Sequence, residues 1–378
     1  MEHDAEHKPG RDLAEALARL DGLDRIRDAA GDTPAYLVGG AVRDILLGDG
    51  ERSDIDVVVE GEVGPIAERL GGEALRHERF GTAKVTAGEL TADLAAARAE
   101  TYARPGALPD VKPAALADDL ARRDFTVNAM AVPLQGEPRL IDPHGGAADL
   151  EARRLSVLHD RSFVDDPTRA VRAARYAARL RFDLDPTAET LVREADLGTV
   201  SEDRREAELQ RLAREDSPRR GFELLDEWGL FALHDHGGEL IDLVVDLVSE
   251  PPWSDVTHRP AVVLAAARGE VGCAPRLASL RPESPSEGVE EASGASGVEL
   301  AIARVMGARW LDDYLADWRH VGLEITGEDL IAAGVAEGPA LGRGLRAALA
   351  RKLDGEAAGR EAELAAALEA ARAGPGPA

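Results

Sequence analysis

The chain has 378 residues, 44% of them hydrophobic, enough for two or more domains with buried cores. Its 45 basic residues face 71 acidic ones, a net charge of −26, so any site for a phosphate backbone must gather positive charge locally. Cys273 stands alone, which excludes an intramolecular disulfide and a cysteine-based metal cluster; no apolar run approaches the roughly 20 residues that cross a bilayer, and the polar start Met1-Glu2-His3-Asp4 has no signal core, so a cytoplasmic protein is expected.

Residues 11–30 read as a helix, with Leu13, Leu17, Leu20 and Ile26 near helical spacing. Ala35-Tyr36-Leu37-Val38 reads as a strand that gives way at Gly39-Gly40 to a helical stretch reaching Leu47. Glycines at such a junction form a plain turn, or they let the backbone approach a phosphate bound by the helix N-terminal amides, with Arg43 one turn on. The next strand, Ile55 to Val59, is entered through Ser53-Asp54. Asp54 and Asp56 are i and i+2, so both carboxylates project to one face while Ile55 turns to the core. On an edge strand such a pair is merely solvated. Beside apolar residues it favours a shared cation, and magnesium, hard and oxygen-seeking, is the natural candidate.

Further strands are expected at Ala83–Thr86, Thr91–Leu94 and Ala129–Val132, giving a strand-rich head over residues 1–148. Segment 97–111, with Pro105-Gly106 and Pro109, reads as an irregular loop. Arg122-Arg123-Asp124 is either a surface ion pair or a triphosphate or ribose contact oriented by the acid.

From Asp149 onward the chain is rich in Ala, Leu and Arg and reads as helices: a neck over 149–233, a body over 234–320 and a tail over 321–378. Residues 281–297, mostly Pro, Ser, Gly and Glu, have linker composition. Asp166-Pro167 opens a helix whose Arg169, Arg172, Arg175 and Arg179 share an arc of about 120°. Four like charges on one arc repel unless an anion lies opposite. Asp166 before Pro167 is also a good helix N-cap. In the tail, the glycines of Gly338-Pro339-Ala340-Leu341-Gly342, with Arg343 and Arg346, suit either a plain helical hairpin or an RNA-backbone contact.

Leu37–Asp44 with Asp54-Ile55-Asp56, then Asp119–Met130, Asp142–Asp149 and Phe163–Arg169, resemble in order the motifs of class II nucleotidyltransferases. That family holds the bacterial tRNA nucleotidyltransferases and poly(A) polymerases. Residues 204–214 with 218–225 resemble the end of the family's neck, and 325–331 with 338–346 its tail; 235–320 match no named segment. The resemblance implies an α+β fold, a polymerase β-like head with a mixed sheet followed by helical neck, body and tail.

It also implies roles. Asp54 and Asp56 are expected to be catalytic and to bind two Mg²⁺ ions. Gly39, Gly40 and Arg43 would hold triphosphate, and Arg122 or Arg123, with Asp124 and Asn128, would contact the nucleotide. Asp166 and Arg169 would present acceptor and donor to the incoming base, in a motif with Asp165 where Glu is usual. Arg172 and Arg175 are assigned to the nucleotide, and Arg179, Arg343 and Arg346 to tRNA. In such enzymes the loop corresponding to 97–111 is thought to govern the switch from C to A.

The expected reaction is template-independent transfer from CTP and/or ATP to the tRNA 3′ end, with no membrane and no obligate protein partner. Alternatives are a poly(A) polymerase, a CC-only or A-only member of a divided pair, and a non-catalytic RNA-binding scaffold. A small-molecule nucleotidyltransferase would share the two acids but would not need the arginine-lined neck.

Overall fold

A computed structural model describes residues 9–48, 55–77 and 81–373. They divide into two units, the first ending at Phe231 and the second beginning at Ala232.

The first unit opens with two helices where one was expected. α1 (Pro9–Ala18) and α2 (Leu23–Ala30) are separated by a turn at Gly22, and Ile26 is fully buried. β1 (Ala35–Val38) leads into α3 (Gly40–Leu47), and β2 (Ile55–Val59) into α4 (Val63–Leu70). Three strands follow: β3 (Glu73–His77), β4 (Thr82–Ala87) and β5 (Leu90–Ala96).

The segment expected to be irregular is a hairpin at its base. β6 (Arg98–Thr101) and β7 (Asp110–Pro113) pair antiparallel, Arg98 opposite Pro113, and residues 102–109 form the tip. Neither strand buries an apolar face, so no alternation announced them. α5 (Leu116–Ala121) and β8 (Ala131–Pro133) complete the head.

The main sheet is mixed, in the order β3-β4-β5-β2-β1-β8. β2 and β5 run parallel, with Asp56 beside Asp93 and Val57 beside Leu94; the other pairs are antiparallel. Val58 shares a buried cluster with Val38, Leu116, Leu120 and Ala131, so α5 covers that stretch of the sheet. Asp56, two residues earlier on the same face, is only partly buried.

The neck follows in α6 (Gly146–Glu151), β9 (Arg154–Leu155), α7 (Ser162–Asp165), α8 (Thr168–Leu180), β10 (Asp183–Leu184), α9 (Pro186–Val192), α10 (Glu202–Ala213) and α11 (Pro218–Glu227). β9 and β10 form a short parallel pair, a departure from the all-helical expectation. Asp142 caps α6, accepting from the Gly146 and Ala147 amides at 2.7 and 2.9 Å.

The second unit is helical throughout the described residues: α12 (Gly237–Leu247), α13 (Arg259–Arg268), α14 (Ala274–Ser279), α15 (Pro285–Ala292), α16 (Gly297–Val305), α17 (Leu311–Ala316), α18 (Gly327–Ala332), α19 (Pro339–Leu353) and α20 (Arg360–Arg372). The linker expected near 281–297 is instead α15 and the start of α16. Ser284 caps α15, Pro285 occupies its first turn, and Gly288 and Ala292 are buried. Gly288 lies so close to Trp318 that an added Cβ would stand 2.5 Å from the indole. A composition poor in large apolar residues here serves close helix–indole packing, a use that composition alone does not reveal. α19 and α20 close over a core of Ile325, Leu330, Ala348, Ala366 and Ala367. Among the described residues no helix is long and apolar enough to cross a membrane.

Candidate active site

The turn from β1 into α3 carries Gly39 at φ 68°, left-handed backbone that favours glycine. A Cβ there would lie 2.9 Å from Arg123 Nη1 and 3.9 Å from Asp56 Oδ2. Gly39 therefore lets an arginine and a carboxylate crowd the start of α3, whose first amides have no side-chain cap. These groups open onto a cavity of about 520 Å³. Its wall takes Asp56 from β2, Glu100 and Tyr102 from the hairpin, Arg122 to Asp124 after α5, Asp166, Arg169 and Arg172 at the start of α8, and Arg204 and Glu208 from α10.

Asp119, with no exposed surface, anchors both motif arginines. Arg122 donates to Asp119 Oδ1 at 2.6 Å and pairs with Glu100 at 3.1 Å, while Arg123 donates to Asp119 Oδ2 at 3.1 Å. Arg122 is thereby consumed by protein partners. Arg123 also donates to the Asn128 carbonyl at 3.2 Å, yet its Nε has no partner. Tyr102 donates to Glu100 Oε2 at 3.0 Å, and burial together with that carboxylate pushes its hydroxyl up to about 12.

Asp124 is buried, and its Oδ2 accepts Arg172 Nε and Nη2 at 2.8 and 2.6 Å. Its Oδ1 accepts the Phe125 amide at 2.9 Å and Asn128 Nδ2 at 3.0 Å. Burial alone would raise this carboxyl; Arg172 and the Asn128 amide overcome it and bring it down to about 2. Asp124 is thus a fixed anion that holds Arg172 against the cavity.

Asp166 and Arg169 both line the cavity. The capping role of Asp166 is real, since Oδ1 accepts the Thr168 amide and hydroxyl at 3.1 and 2.7 Å. Arg169 is pinned by Ser162 Oγ at 2.8 Å and the Arg122 carbonyl at 2.6 Å. The two functions coexist on one helix start.

Three arginines expected at the nucleotide or tRNA do not line this cavity. Arg43, 3% exposed, does not line the cavity; its Nη1 donates to Asn128 Oδ1 at 2.8 Å and its Nη2 pairs with Asp44 at 2.7 Å. Arg175 and Arg179 likewise miss the lining and turn to Glu215. All three, with Arg172, surround the ring of Tyr176 at 5.1–5.9 Å. Asp124, Glu215 and that π-face balance the arginine arc from within the protein. Arg343 and Arg346 sit on α19 in the second unit; Arg346 is exposed, and Arg343 Nε has no partner.

Asp54 lies outside the described residues. Asp56 also borders a second cavity, of about 400 Å³, shared with Arg122, Arg123, Lys84 and Asp93. Asp93 was missed from sequence: it is one acid in an alternating strand, and only the parallel register with β2 sets it beside Asp56. Lys84 contacts it at 3.4 Å. Asp56 and Asp93 offer only hard carboxylate oxygens from adjacent positions of one sheet face, a donor chemistry that fits a small divalent cation. Among the described residues no group of three His, Cys, Asp or Glu is arranged to hold a metal ion. Asp119, Glu100, Ser162, Tyr176 and Arg204 were also given no role from sequence; for Glu100, Ser162 and Arg204 the partners lie 22, 7 and 98 positions away.

A mixed sheet with an acidic strand beside a glycine-opened helix, faced by an arginine-rich neck, defines a nucleotidyltransferase. Residues 35–156 match the Poly A polymerase head domain. The chain is 39% identical over 334 residues to the CC-adding tRNA nucleotidyltransferase of Deinococcus radiodurans, covering 85% of each chain. It is 48% identical over 178 residues to the A-adding tRNA nucleotidyltransferase of Aquifex aeolicus, covering 44% of this chain and 21% of that one. A solved CCA-adding enzyme in its apo form superposes with a TM-score of 0.80 at 30% identity, covering 95% and 99% of the two chains. The Thermotoga maritima CCA-adding enzyme complexed with tRNA gives 0.71 at 27%, covering 95% and 98%. The chain belongs to the class II tRNA nucleotidyltransferase family, whose members use divalent metal ions.

Proposed function

We propose that this enzyme adds nucleotides from CTP and/or ATP to the 3′ end of tRNA without a nucleic-acid template, acting in the cytoplasm. The observation that carries the reading is one cavity joining Asp56 and the Gly39–Gly40 turn to Asp166 and Arg169. A phosphate-transfer apparatus and a paired acceptor and donor for the base would then share one chamber. Asp54 and Asp56, aided by Asp93, would hold Mg²⁺, which when bound lowers the pKa of the attacking hydroxyl and neutralises the leaving pyrophosphate.

The chain's own groups do the rest. Arg123, beside Gly39 on the cavity wall, would meet the triphosphate. Arg122, Asp124, Asn128 and Arg43 hold Arg123, Arg169 and Arg172 in position. Asp166 accepts from the exocyclic amine that cytosine and adenine share, and Arg169 donates to the neighbouring ring nitrogen. With the nucleotide in the larger cavity, an RNA end in the smaller one would meet it at Asp56, which both share. Arg343 and Arg346 would grip the tRNA backbone, while Arg175 and Arg179 serve the neck's internal packing. The head, neck, body and tail take the boundaries given above, with 281–297 as ordered body.

The relative that matches 85% of the chain is a CC-adding enzyme, which favours addition of C and C alone as a second reading. Extension of tRNA transcripts lacking CCA, ending in C-C, or complete, with each of the four nucleoside triphosphates, tests both. Addition of C, C, then A with a stop supports complete CCA synthesis, and a stop after the second C supports the CC-only reading. Long A tails on unrelated RNA would favour the poly(A) polymerase alternative, and no incorporation at all would sink the enzyme reading.

A further inference from the structure

We infer, resting on the nucleotide-adding function proposed above, that the hydroxyl of Tyr176 is a further nucleotide-binding group, donating a hydrogen bond to the triphosphate in the larger cavity.

Tyr176 lies on α8 with 8% of its surface exposed, and it forms part of the wall of that cavity. Arg172 Nη2 donates to its oxygen at 3.1 Å, and the same guanidinium is held by Asp124 at 2.8 and 2.6 Å. A guanidinium can only donate, so the direction of this chain is fixed: the Tyr176 oxygen accepts, and its own hydrogen is left to give. Among the described residues no protein group accepts it. Glu208, on the same wall, is turned to Arg211, and its Oε2 has no partner. A buried O–H without an acceptor is costly, so the acceptor that completes the chain is one that enters the cavity. An oxygen that already accepts from a cation makes its O–H a stronger donor, which suits an anionic oxygen.

The position along α8 selects phosphate over base. Asp166 and Arg169 stand at the helix start, and Tyr176 follows Arg169 by two turns on the same face, about 10 Å further along. There its ring meets Arg43, whose guanidinium carbon lies 5.4 Å from the centroid. Arg43 in turn stands 3.5 Å from where a Cβ on Gly40 would be, and Gly40 opens α3, whose first amides have no side-chain cap. The hydroxyl therefore belongs to the end of the cavity near the glycine turn, away from the base-reading pair. The four guanidiniums around the ring add positive charge behind it.

The test compares wild-type enzyme with Tyr176→Phe and with 3-fluorotyrosine in place of Tyr176. Calorimetry measures binding of CTP and of inorganic tripolyphosphate with Mg²⁺, beside nucleotide addition to tRNA transcripts. Tyr176→Phe keeps the ring and loses one hydrogen bond to a charged group. It should weaken both ligands about tenfold and raise the CTP KM alike, with kcat nearly kept. Unchanged tripolyphosphate affinity overturns the inference; if CTP alone weakens, the hydroxyl meets sugar or base instead. Fluorination separates donation to the ligand from mere support of Arg172, because it strengthens the phenol as donor and weakens it as acceptor. At mildly acid pH, where the phenol keeps its proton, the fluorinated enzyme should bind tripolyphosphate about twofold more tightly. Equal or weaker binding would make the hydroxyl a support for Arg172 and overturn the inference. Wild-type enzyme that extends no transcript would defeat the functional reading, while its binding of tripolyphosphate still decides the role of the hydroxyl. Should Tyr176→Phe fail to fold, the fluorotyrosine comparison decides alone.

Discussion

Asp56 and Asp93 differ in how they could be found. The first announces itself as half of Asp-x-Asp; the second becomes visible only when β2 and β5 align. Replacing Asp56 with Asn is expected to lower nucleotide addition by at least about 10³-fold, with unfolding temperature little changed. Calorimetry beside the extension assay separates the two effects. Arg169→Ala should raise misincorporation of UTP and GTP about 10-fold or more while the metal dependence of the rate stays as it was; equal fidelity before and after would remove Arg169 from base selection. Asp124 makes a prediction in pH. Its carboxyl lies at about 2 in the folded state, below its ordinary value of 3.8, so the folded state holds its anion more tightly. That contribution is complete above the ordinary value and is lost as pH falls toward 2. Arg172→Ala leaves the buried anion uncompensated and should destabilise the first unit by about 3 kcal/mol, with the steep part of its acid-unfolding curve moving to higher pH.

At the scale of elements, β1, α3, β2 and the neck helices were legible from the apolar residues and their spacing. The hairpin base, the β9–β10 pair and α15 were not. In each the deciding contact is distant or small: a strand pairing without an apolar face, or a glycine under an indole. Of the candidate site, the chemistry-bearing residues could be read, but not which arginines reach the cavity. Arg175 shares the helical arc of Arg169 and Arg172, and Arg43 stands one turn past the glycine pair, yet both turn to Tyr176 and to protein partners. Gly39→Ala tests the turn itself. A Cβ there meets Arg123 Nη1, so the triphosphate KM should rise about tenfold or more, and loss confined to thermal stability would argue against a phosphate role.

At the scale of the whole molecule, the paradox of an acidic chain that handles RNA resolves locally. Six arginines, at 122, 123, 169, 172, 204 and 211, line the larger cavity against five carboxylates, in a protein of net charge −26. Beyond that cavity, many of the described cations are tied to carboxylates, among them Arg154, Arg179, Arg220, Arg304 and Arg360. tRNA affinity should therefore fall with salt less steeply than for a basic RNA-binding protein. Arg346→Ala should shallow the slope of log affinity against log salt by about 0.7, and an unchanged slope would remove α19 from the RNA interface.

Every cation on that wall is a guanidinium; the described lysines, Lys84, Lys112 and Lys352, are all elsewhere. A guanidinium keeps its proton at any pH at which the protein is folded and is not a substrate for amine acylation. Cellular acetylation and laboratory amine-directed labels therefore have no handle on this wall, whereas dicarbonyl reagents that condense with guanidines do. The larger cavity is insulated from one of the commonest ways by which cells retune an enzyme's charge.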